Sequence, residues 1–249
     1  MNYLRAASVV TLCAALTFAC GVPHEAAGGT PIETTPAGEP AVGALFDGDG
    51  HFCSGSVVHS SAGNEVITAA HCIHEGFGGN YLSDLTFAPG YHDGTAPYGM
   101  WTVTSSLVAP GWIDDSDPDL DVGFVTVRQD GNPNSIESVT GANQLGVDPG
   151  FTNDVTLTGY PDEADSPVVC RNSTTQQSEY QLRIACDGFP DGTSGGPWVV
   201  DAAPDTTLGT VVGVIGGYQL GGDDADVSYS SYFDTDIEAL YRASTSETH

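Results

Sequence analysis

Residues 191–198 read DGTSGGPW and contain one serine, Ser194, among three glycines. Such a Gly-rich stretch predicts a tight turn, on which a serine is either an ordinary turn residue or an exposed nucleophile. A serine nucleophile needs a histidine as its base, and that histidine needs a carboxylate to orient it. The rest of the chain must therefore supply both partners if Ser194 is catalytic.

The base is sought among seven histidines. The one histidine after Ser194 is His249, the last residue, so the Ser–Asp–His order of the α/β-hydrolases is not available. Upstream, His71 ends the β-branched stretch VITAAHC at 66–72, beside two small alanines and Cys72. Small neighbours let an imidazole face a cleft, and a disulfide at Cys72 would hold its backbone. We take His71 as the base and expect the other upstream histidines to be structural or surface residues.

The orienting acid should be buried, remain ionised and lie near the start of a rigid strand. The stretch DDSDPDLDVGFVTV at 114–127 offers five aspartates. Asp121 is the last carboxylate before a run of uncharged residues typical of a strand, whereas the others lie in a Pro-containing acidic loop. We assign the role to Asp121, with Asp119 as the fallback.

Short apolar runs separated by turns follow from residue 41 onward. Many are β-branched with period-two alternation, and the chain has 32 glycines and 15 prolines, as expected for many short strands. One helix is predicted near the end, over 234–243 in FDTDIEALYRAS. The pattern predicts an all-β barrel or sandwich. Because strands and helices do not alternate, it excludes doubly wound folds, among them those of the α/β-hydrolases and the subtilisins.

The charge balance is strongly acidic. The 249 residues include 33 acids, five arginines and no lysine, for a net charge of −28. Binding to nucleic acid or anionic lipid requires Lys and Arg to neutralise phosphate, so the composition argues against both. We interpret the acidity as solubility in an external medium.

The first residues have the features of an export signal. One arginine precedes an apolar run over 6–20 that is too short for a transmembrane span, so residues 1–27 are predicted to be a signal peptide of a secreted protein. Cys20 follows a small residue and is a candidate lipid anchor on the outer face of the membrane, although Thr17 departs from the lipoprotein pattern. Residues 28–40 are predicted to be a flexible leader or propeptide.

Four cysteines remain after the leader: Cys53, Cys72, Cys170 and Cys186. Export implies an oxidising compartment, and four cysteines allow three disulfide pairings. Pairing of sequence neighbours closes two short loops of comparable size, which favours Cys53–Cys72 and Cys170–Cys186. A zinc site is the competing interpretation, but no C-x-x-C spacing occurs.

Three motifs together resemble one family. TAAHC at 68–72, DVGFV at 121–125 and GTSGGP at 192–197 follow the order His–Asp–Ser of the chymotrypsin-like (trypsin-fold) serine proteases. Two further segments, GYP at 159–161 and GVIGGY at 213–218, are similar to second-barrel segments of secreted bacterial members, including the V8-like and actinobacterial groups. The likeness extends over about 41–241. Subtilisins have the aspartate first, and no match to their histidine motif is visible.

The resemblance implies two six-stranded antiparallel β-barrels packed together, with a C-terminal α-helix. The protease domain would cover 41–243, with the first barrel at about 41–140, the second at about 141–233 and the helix at 234–243. FCSGSVV at 52–58 is similar to the strand that carries the first cysteine of the family, paired with the cysteine of TAAHC.

The resemblance also implies the roles of the site residues. Ser194 would attack the scissile carbonyl, His71 would take its proton, and Asp121 would orient the histidine. The backbone N–H groups of Gly192 and Ser194 would form the oxyanion hole. This chemistry needs no metal or cofactor. The expected activity is that of a secreted serine endopeptidase, monomeric and acting on proteins or peptides; the alternative is a catalytically silent homologue that serves as a protein-binding or cell-surface module.

The sequence departs from the animal members at two linked positions. They have an aspartate before the nucleophile that pairs with an N-terminal amine released on activation, whereas this chain has Thr193. The segment expected to supply the amine, PAVGAL at 40–45, has no Arg or Lys directly before it, and none occurs between Arg5 and Arg128. We therefore expect an oxyanion hole that local hydrogen bonds hold without this switch.

The candidates for the substrate pocket are Gly188, Gly216, Gly217 and Tyr218. V8-like members read acidic side chains with a histidine on the pocket wall, and the corresponding segment here, GGYQLGG at 216–222, has none. An acidic segment follows it, so we expect no preference for Glu substrates.

Overall fold

The structure, a computed structural model, describes residues 31–32, 39–48 and 50–246. The predicted signal peptide, the candidate anchor Cys20, most of the predicted leader and His249 lie outside these residues. Within them, no helix combines the length and the apolar character needed to cross a membrane.

The described chain consists mainly of short strands, in agreement with the predicted all-β class. In chain order they are β1 Pro31–Ile32, β2 Val42–Phe46, β3 His51–Val58, β4 Glu65–Thr68, β5 Thr86–Pro89, β6 Trp101–Val108, β7 Gly123–Arg128, β8 Gln144–Leu145, β9 Asp154–Gly159, β10 Val168–Ser173, β11 Thr175–Ser178, β12 Gln181–Ala185, β13 Pro197–Val200, β14 Thr210–Val214 and β15 Val227–Ser231.

Three α-helices accompany them: α1 Pro110–Asp115, α2 Ile136–Thr140 and α3 Thr235–Ser246. The predicted terminal helix is present as α3. The two short helices were not predicted, because five or six residues are too few for an apolar period. Each has only a local start signal, a proline at the first turn of α1 and the Ser135 hydroxyl that caps α2.

The first half of the domain is a closed barrel of β2, β3, β4, β7, β6 and β5 in that order around the ring. Its interior is filled by large apolar side chains such as Phe87 and Trp101, both fully buried. The segment PAVGAL belongs to this barrel. Its residues 42–45 lie in β2, which pairs with both β3 and β5, so this segment is a barrel strand and not a free N-terminal end.

The second half comprises a six-stranded sheet, β1-β10-β9-β13-β14-β8, and a three-stranded sheet, β11-β12-β15. The Cys170–Cys186 disulfide joins β10 to the end of β12. Within the predicted leader, Pro31–Ile32 pairs with Cys170 and Val169 of β10. Edge pairing uses only backbone groups, so a Pro- and Thr-rich composition did not reveal it.

A second apolar cluster lies where the two halves and α3 meet. Ile67 and Phe124 from the barrel, Val214 from the second half and Ile237 from α3 are all fully buried in it. Val122, which follows Asp121, is also fully buried in this cluster, so the cluster fixes the backbone beside that candidate acid.

Candidate active site

His71 follows the barrel strand β4, in a short 3-10 helix, Ala70–Cys72. Ala69 and Ala70 are completely buried, while the His71 side chain keeps 16% of its surface exposed. The Cys53–Cys72 disulfide fixes the backbone next to the imidazole, with the two Cα atoms 6.1 Å apart. The local sequence thus gives a rigid backbone and a ring that reaches the surface.

Asp121 lies beside His71 at the end of the 3-10 helix Pro118–Leu120 and has no exposed surface. Its Oδ2 accepts hydrogen bonds from Nδ1 of His71 at 2.8 Å and from the N–H of Gly217 at 2.8 Å. Its Oδ1 accepts the backbone N–H of His71 at 2.9 Å. A carboxylate can only accept, so this arrangement requires the proton on Nδ1 and leaves Nε2 as the basic nitrogen.

The fallback acid lies elsewhere. Asp119 accepts a hydrogen bond at 2.7 Å from the side chain of Gln181 through its Oδ1, and it does not contact His71.

Ser194 lies on the turn before β13 and lines the same cleft as His71. Its carbonyl accepts the N–H of Ser54 at 2.7 Å, which ties the turn to the first barrel. No hydrogen bond joins its Oγ to Nε2 of His71 among the described residues. Such bonds are often long in a protein without substrate and shorten in the reacting complex.

The backbone around Ser194 leaves two N–H groups free. In the described part of the chain, neither the N–H of Gly192 nor that of Ser194 donates to a protein acceptor. Gly192 has a φ of +90°, which turns the peptide in a way that L side chains rarely allow. Two free N–H groups on one turn beside a serine are an arrangement that can bind an oxyanion.

Thr193, between these two residues, is almost completely buried. Its hydroxyl donates to the carbonyl of Pro190 at 2.6 Å, and its N–H donates to the same carbonyl at 3.3 Å. The position that would pair with an N-terminal amine in animal members is therefore satisfied within the loop.

A cleft of about 650 Å³ opens beside Ser194 and His71. Apolar side chains, including Phe189, Ile215 and Leu220, form part of its wall, and Asp191 and Asp223 add carboxylates. His71 is the only basic side chain that lines it within the described residues.

The four pocket candidates lie next to this wall rather than in it. Gly188 directly precedes Phe189, and Tyr218 packs edge-on against Tyr229 with ring centres 5.0 Å apart. Gly216 and Gly217 are buried against Asp121. A Cβ on Gly216 would lie 2.9 Å from the Asp121 carbonyl oxygen, so there is no room for a side chain between this residue and Asp121.

The trypsin-like peptidase domain model matches residues 53–214, a span that contains His71, Asp121 and Ser194. The chain belongs to the trypsin-like peptidase family. The predicted chymotrypsin-like fold and serine endopeptidase family are thereby confirmed, whereas the individual roles of the site residues stay predictions.

Solved structures agree with this trypsin-like peptidase fold. The chain is similar to the protease Anisep from Arthrobacter nicotinovorans, with 25% identity, a TM-score of 0.74, and coverage of 85% of this chain and 98% of the other. It is also similar to the thermostable serine protease AL20 from an extremophilic microorganism, with 24% identity, a TM-score of 0.75, and coverage of 86% and 100%.

A shorter match involves a Bacillus subtilis (strain 168) protein named extracellular metalloprotease. It is 32% identical over 81 residues, which amount to 32% of this chain and 24% of that protein. The matched segment thus spans about a quarter of that relative.

The name of that relative raises the question of a metal site in this trypsin-like peptidase. Among the described residues, the one group of side chains close enough to share an ion is Cys53, His71 and Cys72. The two cysteines form a disulfide and so provide no thiolate, which leaves a single imidazole. These residues do not fit a metal.

Sequence reasoning missed the residues that hold the site together. Gln181 on β12 is almost completely buried, and its Nε2 donates to the Pro118 carbonyl and to Asp119 at 2.8 and 2.7 Å. Its Oε1 accepts the N–H of Tyr218 at 3.1 Å. It therefore connects the loop of Asp121 to the loop beside the cleft. A lone glutamine in the strand QLRIA has no signal that would predict this contact.

Proposed function

We propose that the chain is a secreted serine endopeptidase in which Ser194, His71 and Asp121 form the catalytic triad. The observation that carries the proposal is the geometry of His71. Its Nδ1 is bonded to a fully buried carboxylate, and the ring lines the cleft that also contains Ser194. Family membership supports peptide-bond hydrolysis as the reaction.

In this mechanism, Nε2 of His71 takes the proton from the Ser194 hydroxyl as Oγ forms a bond to the scissile carbonyl carbon. The carbonyl oxygen becomes an oxyanion, which the N–H groups of Gly192 and Ser194 bind. Each such donor contributes roughly 3–4 kcal/mol of transition-state stabilisation. His71 then gives the proton to the amine as the C–N bond breaks, and water hydrolyses the acyl-enzyme by the same route.

The carboxylate of Asp121 stabilises the imidazolium that forms at each proton transfer. It keeps its negative charge while buried because three N–H groups donate to it. Hydrogen bonds of this kind stabilise the ionised form.

We further propose that the enzyme is competent without an N-terminal amine. The buried Thr193 is satisfied by Pro190, and residues 42–45, where the amine was expected, are paired within the barrel. The test is to trim residues 21–40 and to acetylate the new terminus. Unchanged kcat/KM in both forms is expected; a manyfold rise on trimming that acetylation reverses would contradict the proposal.

Secretion rests on the apolar leader and the oxidised cysteine pairs, and the word extracellular in the name of the Bacillus subtilis relative supports it. Mass spectrometry of the mature N-terminus tests it together with the candidate lipid anchor. A start beyond Cys20 is expected for a freely secreted enzyme, and a diacylated Cys20 at the terminus identifies an anchored one.

Substrates are proposed to be proteins or peptides without Glu at the cleaved position. Asp191 and Asp223 line the cleft, and no arginine of the described chain does so, which makes binding of a second carboxylate unfavourable. Cleavage of a peptide library tests this directly, and preferential cleavage after Glu would refute it.

A fluorophosphonate probe separates the enzyme from a silent homologue. We expect the probe to label the folded protein at Ser194 and to leave Ser194→Ala unlabelled. Equal absence of labelling in the two folded proteins would support a binding module instead.

A further inference from the structure

Two peptide units meet at Gly192, and each is held by a hydrogen bond from outside its own loop. The carbonyl of Asp191 accepts the N–H of Asp162 at 3.0 Å. The carbonyl of Gly192 accepts the hydroxyl of Ser54 at 3.1 Å. The first unit carries the N–H of Gly192. Since a trans peptide is planar, holding its carbonyl on one side directs this N–H to the other, toward the cleft.

Ser54 links the two contacts. Its side chain on β3 is completely buried, and its Oγ also accepts the N–H of Tyr160 at 2.8 Å. Tyr160 stands two positions before Asp162. A closed ring therefore runs from Ser54 to Tyr160, along the backbone to Asp162, across to Asp191 and Gly192, and back to Ser54. The serine hydroxyl acts in it as both donor and acceptor.

The ring is attached to the first barrel at a second point. The hydroxyl of Tyr160 donates to the carbonyl of Val42 in β2 at 3.3 Å. The side chain of Tyr160 has no exposed surface, and this burial raises the pKa of its hydroxyl, which stays protonated as a donor. The segment behind Gly192 is thus fixed to β2 through Tyr160 and to β3 through Ser54.

We propose that Ser54 is a positioning residue of the oxyanion hole, whose hydroxyl keeps the Gly192 N–H directed into the cleft. Within the described residues, Ser54 is the one hydrogen-bond partner of the Gly192 carbonyl. Without the hydroxyl this carbonyl is unpaired in a buried place, and rotation of the loop toward the cleft would satisfy it with water. The inference rests on the proposed function, because an oxyanion hole matters only in an active enzyme.

The experiment compares Ser54→Ala with Ser56→Ala. Ser56 is a matched control because it lies on the same strand and is equally buried, and its Oγ donates to Val57 and accepts from Asn143. Both variants lose one buried hydroxyl, but only Ser54 touches the loop of the nucleophile. Steady-state hydrolysis of a peptide amide is measured together with thermal unfolding and binding of a peptide boronic acid, whose tetrahedral oxygen occupies the oxyanion site.

We expect Ser54→Ala to lower kcat by about 10- to 100-fold with KM changed less than about twofold. The affinity for the boronic acid should fall by the same factor. Ser56→Ala should keep kcat within about threefold of wild type. An inactive wild-type protein would overturn the proposed function. An active wild type with equal kcat in the two folded variants would overturn the role of Ser54 alone.

A second variant tests the same ring if Ser54→Ala does not fold. Asp162 is exposed and occupies the second position of a turn in which the Ala164 N–H donates to the Pro161 carbonyl, a position that favours proline. Asp162→Pro replaces the N–H that Asp191 accepts with a ring carbon, which removes the hydrogen bond and displaces the Asp191 carbonyl, whereas Asp162→Ala retains the N–H. We expect the kcat of the proline variant to be at least about tenfold lower than that of the alanine variant. Equal kcat in both would overturn the proposal.

Discussion

Substitution of Gly192 by alanine tests the oxyanion hole at a place where the structure predicts the size of the effect. A Cβ on Gly192 would lie 2.2 Å from the backbone nitrogen of Asp162, whereas an ordinary contact begins at 3.4 Å. The two backbones must therefore separate by about 1.2 Å. Such a shift breaks the 3.0 Å hydrogen bond between Asp162 and Asp191, and the N–H of Gly192 loses its direction.

The expected cost of Gly192→Ala is that of one oxyanion donor, about 3–4 kcal/mol or a 100- to 1,000-fold fall in kcat. Gly131→Ala is the matched control, because Gly131 also has a positive φ, +76°, but no atom within 4 Å of its Cβ position. The control thus carries the same backbone strain without the clash or the link to the site. The assay is peptide-amide hydrolysis with thermal unfolding as a check on folding. A folded Gly192→Ala with kcat within threefold of Gly131→Ala would refute the reasoning.

Three further substitutions probe the acid, the barrel and the link between the loops. In Asp121→Asn, one carboxylate oxygen becomes an NH₂ group, which cannot accept the N–H groups that Asp121 accepts from His71 and Gly217. The Nδ1–H form of His71 is then disfavoured, so kcat should fall about 10⁴-fold in steady-state assays. Burial raises the pKa of Glu65 from 4.5 to about 7. Between pH 4.5 and about 7 the folded protein binds more protons than the unfolded one, so its free energy of unfolding falls as the pH rises. Wild type should therefore lose roughly 3 kcal/mol of this free energy relative to Glu65→Gln between about pH 4.5 and pH 8, measured by urea unfolding. A difference between the two proteins that does not change with pH would contradict this. Gln181→Leu removes three hydrogen bonds and leaves Asp119 Oδ1 and the Tyr218 N–H without this partner, while the Pro118 carbonyl keeps the Ser231 hydroxyl. It should lower the free energy of unfolding by at least about 2 kcal/mol, and a loss under about 0.5 kcal/mol would contradict the role given to Gln181.

The parts that sequence could predict are those with local signals. VITAAHC combines a strand pattern with small residues and a cysteine, and DVGFV marks the point where an acidic loop becomes a strand. The fold class followed from the many turns and the order of the three motifs. The disulfide pairs followed from loop length, and the structure contains both.

The parts that could not be predicted depend on contacts between distant segments. Ser54 and Gly192 are 138 positions apart, and Gln181 and Asp119 are 62 positions apart, so no pattern within either stretch indicates the bond. For a similar reason, the residues that line the cleft differ from the expected Gly188, Gly216, Gly217 and Tyr218. The position of Gly216 against Asp121 is decided by how the end of β14 and the Asp121 loop meet, which is a property of the packed halves.

The most direct test of the central claim is cleavage of a peptide library by wild type beside Ser194→Ala, prepared identically and shown to be folded. The account predicts that wild type cleaves a defined subset of peptides, with few or no cuts after Glu, and that the Ser194→Ala variant cleaves none. Cleavage of the same peptides at the same rates by both proteins would contradict it.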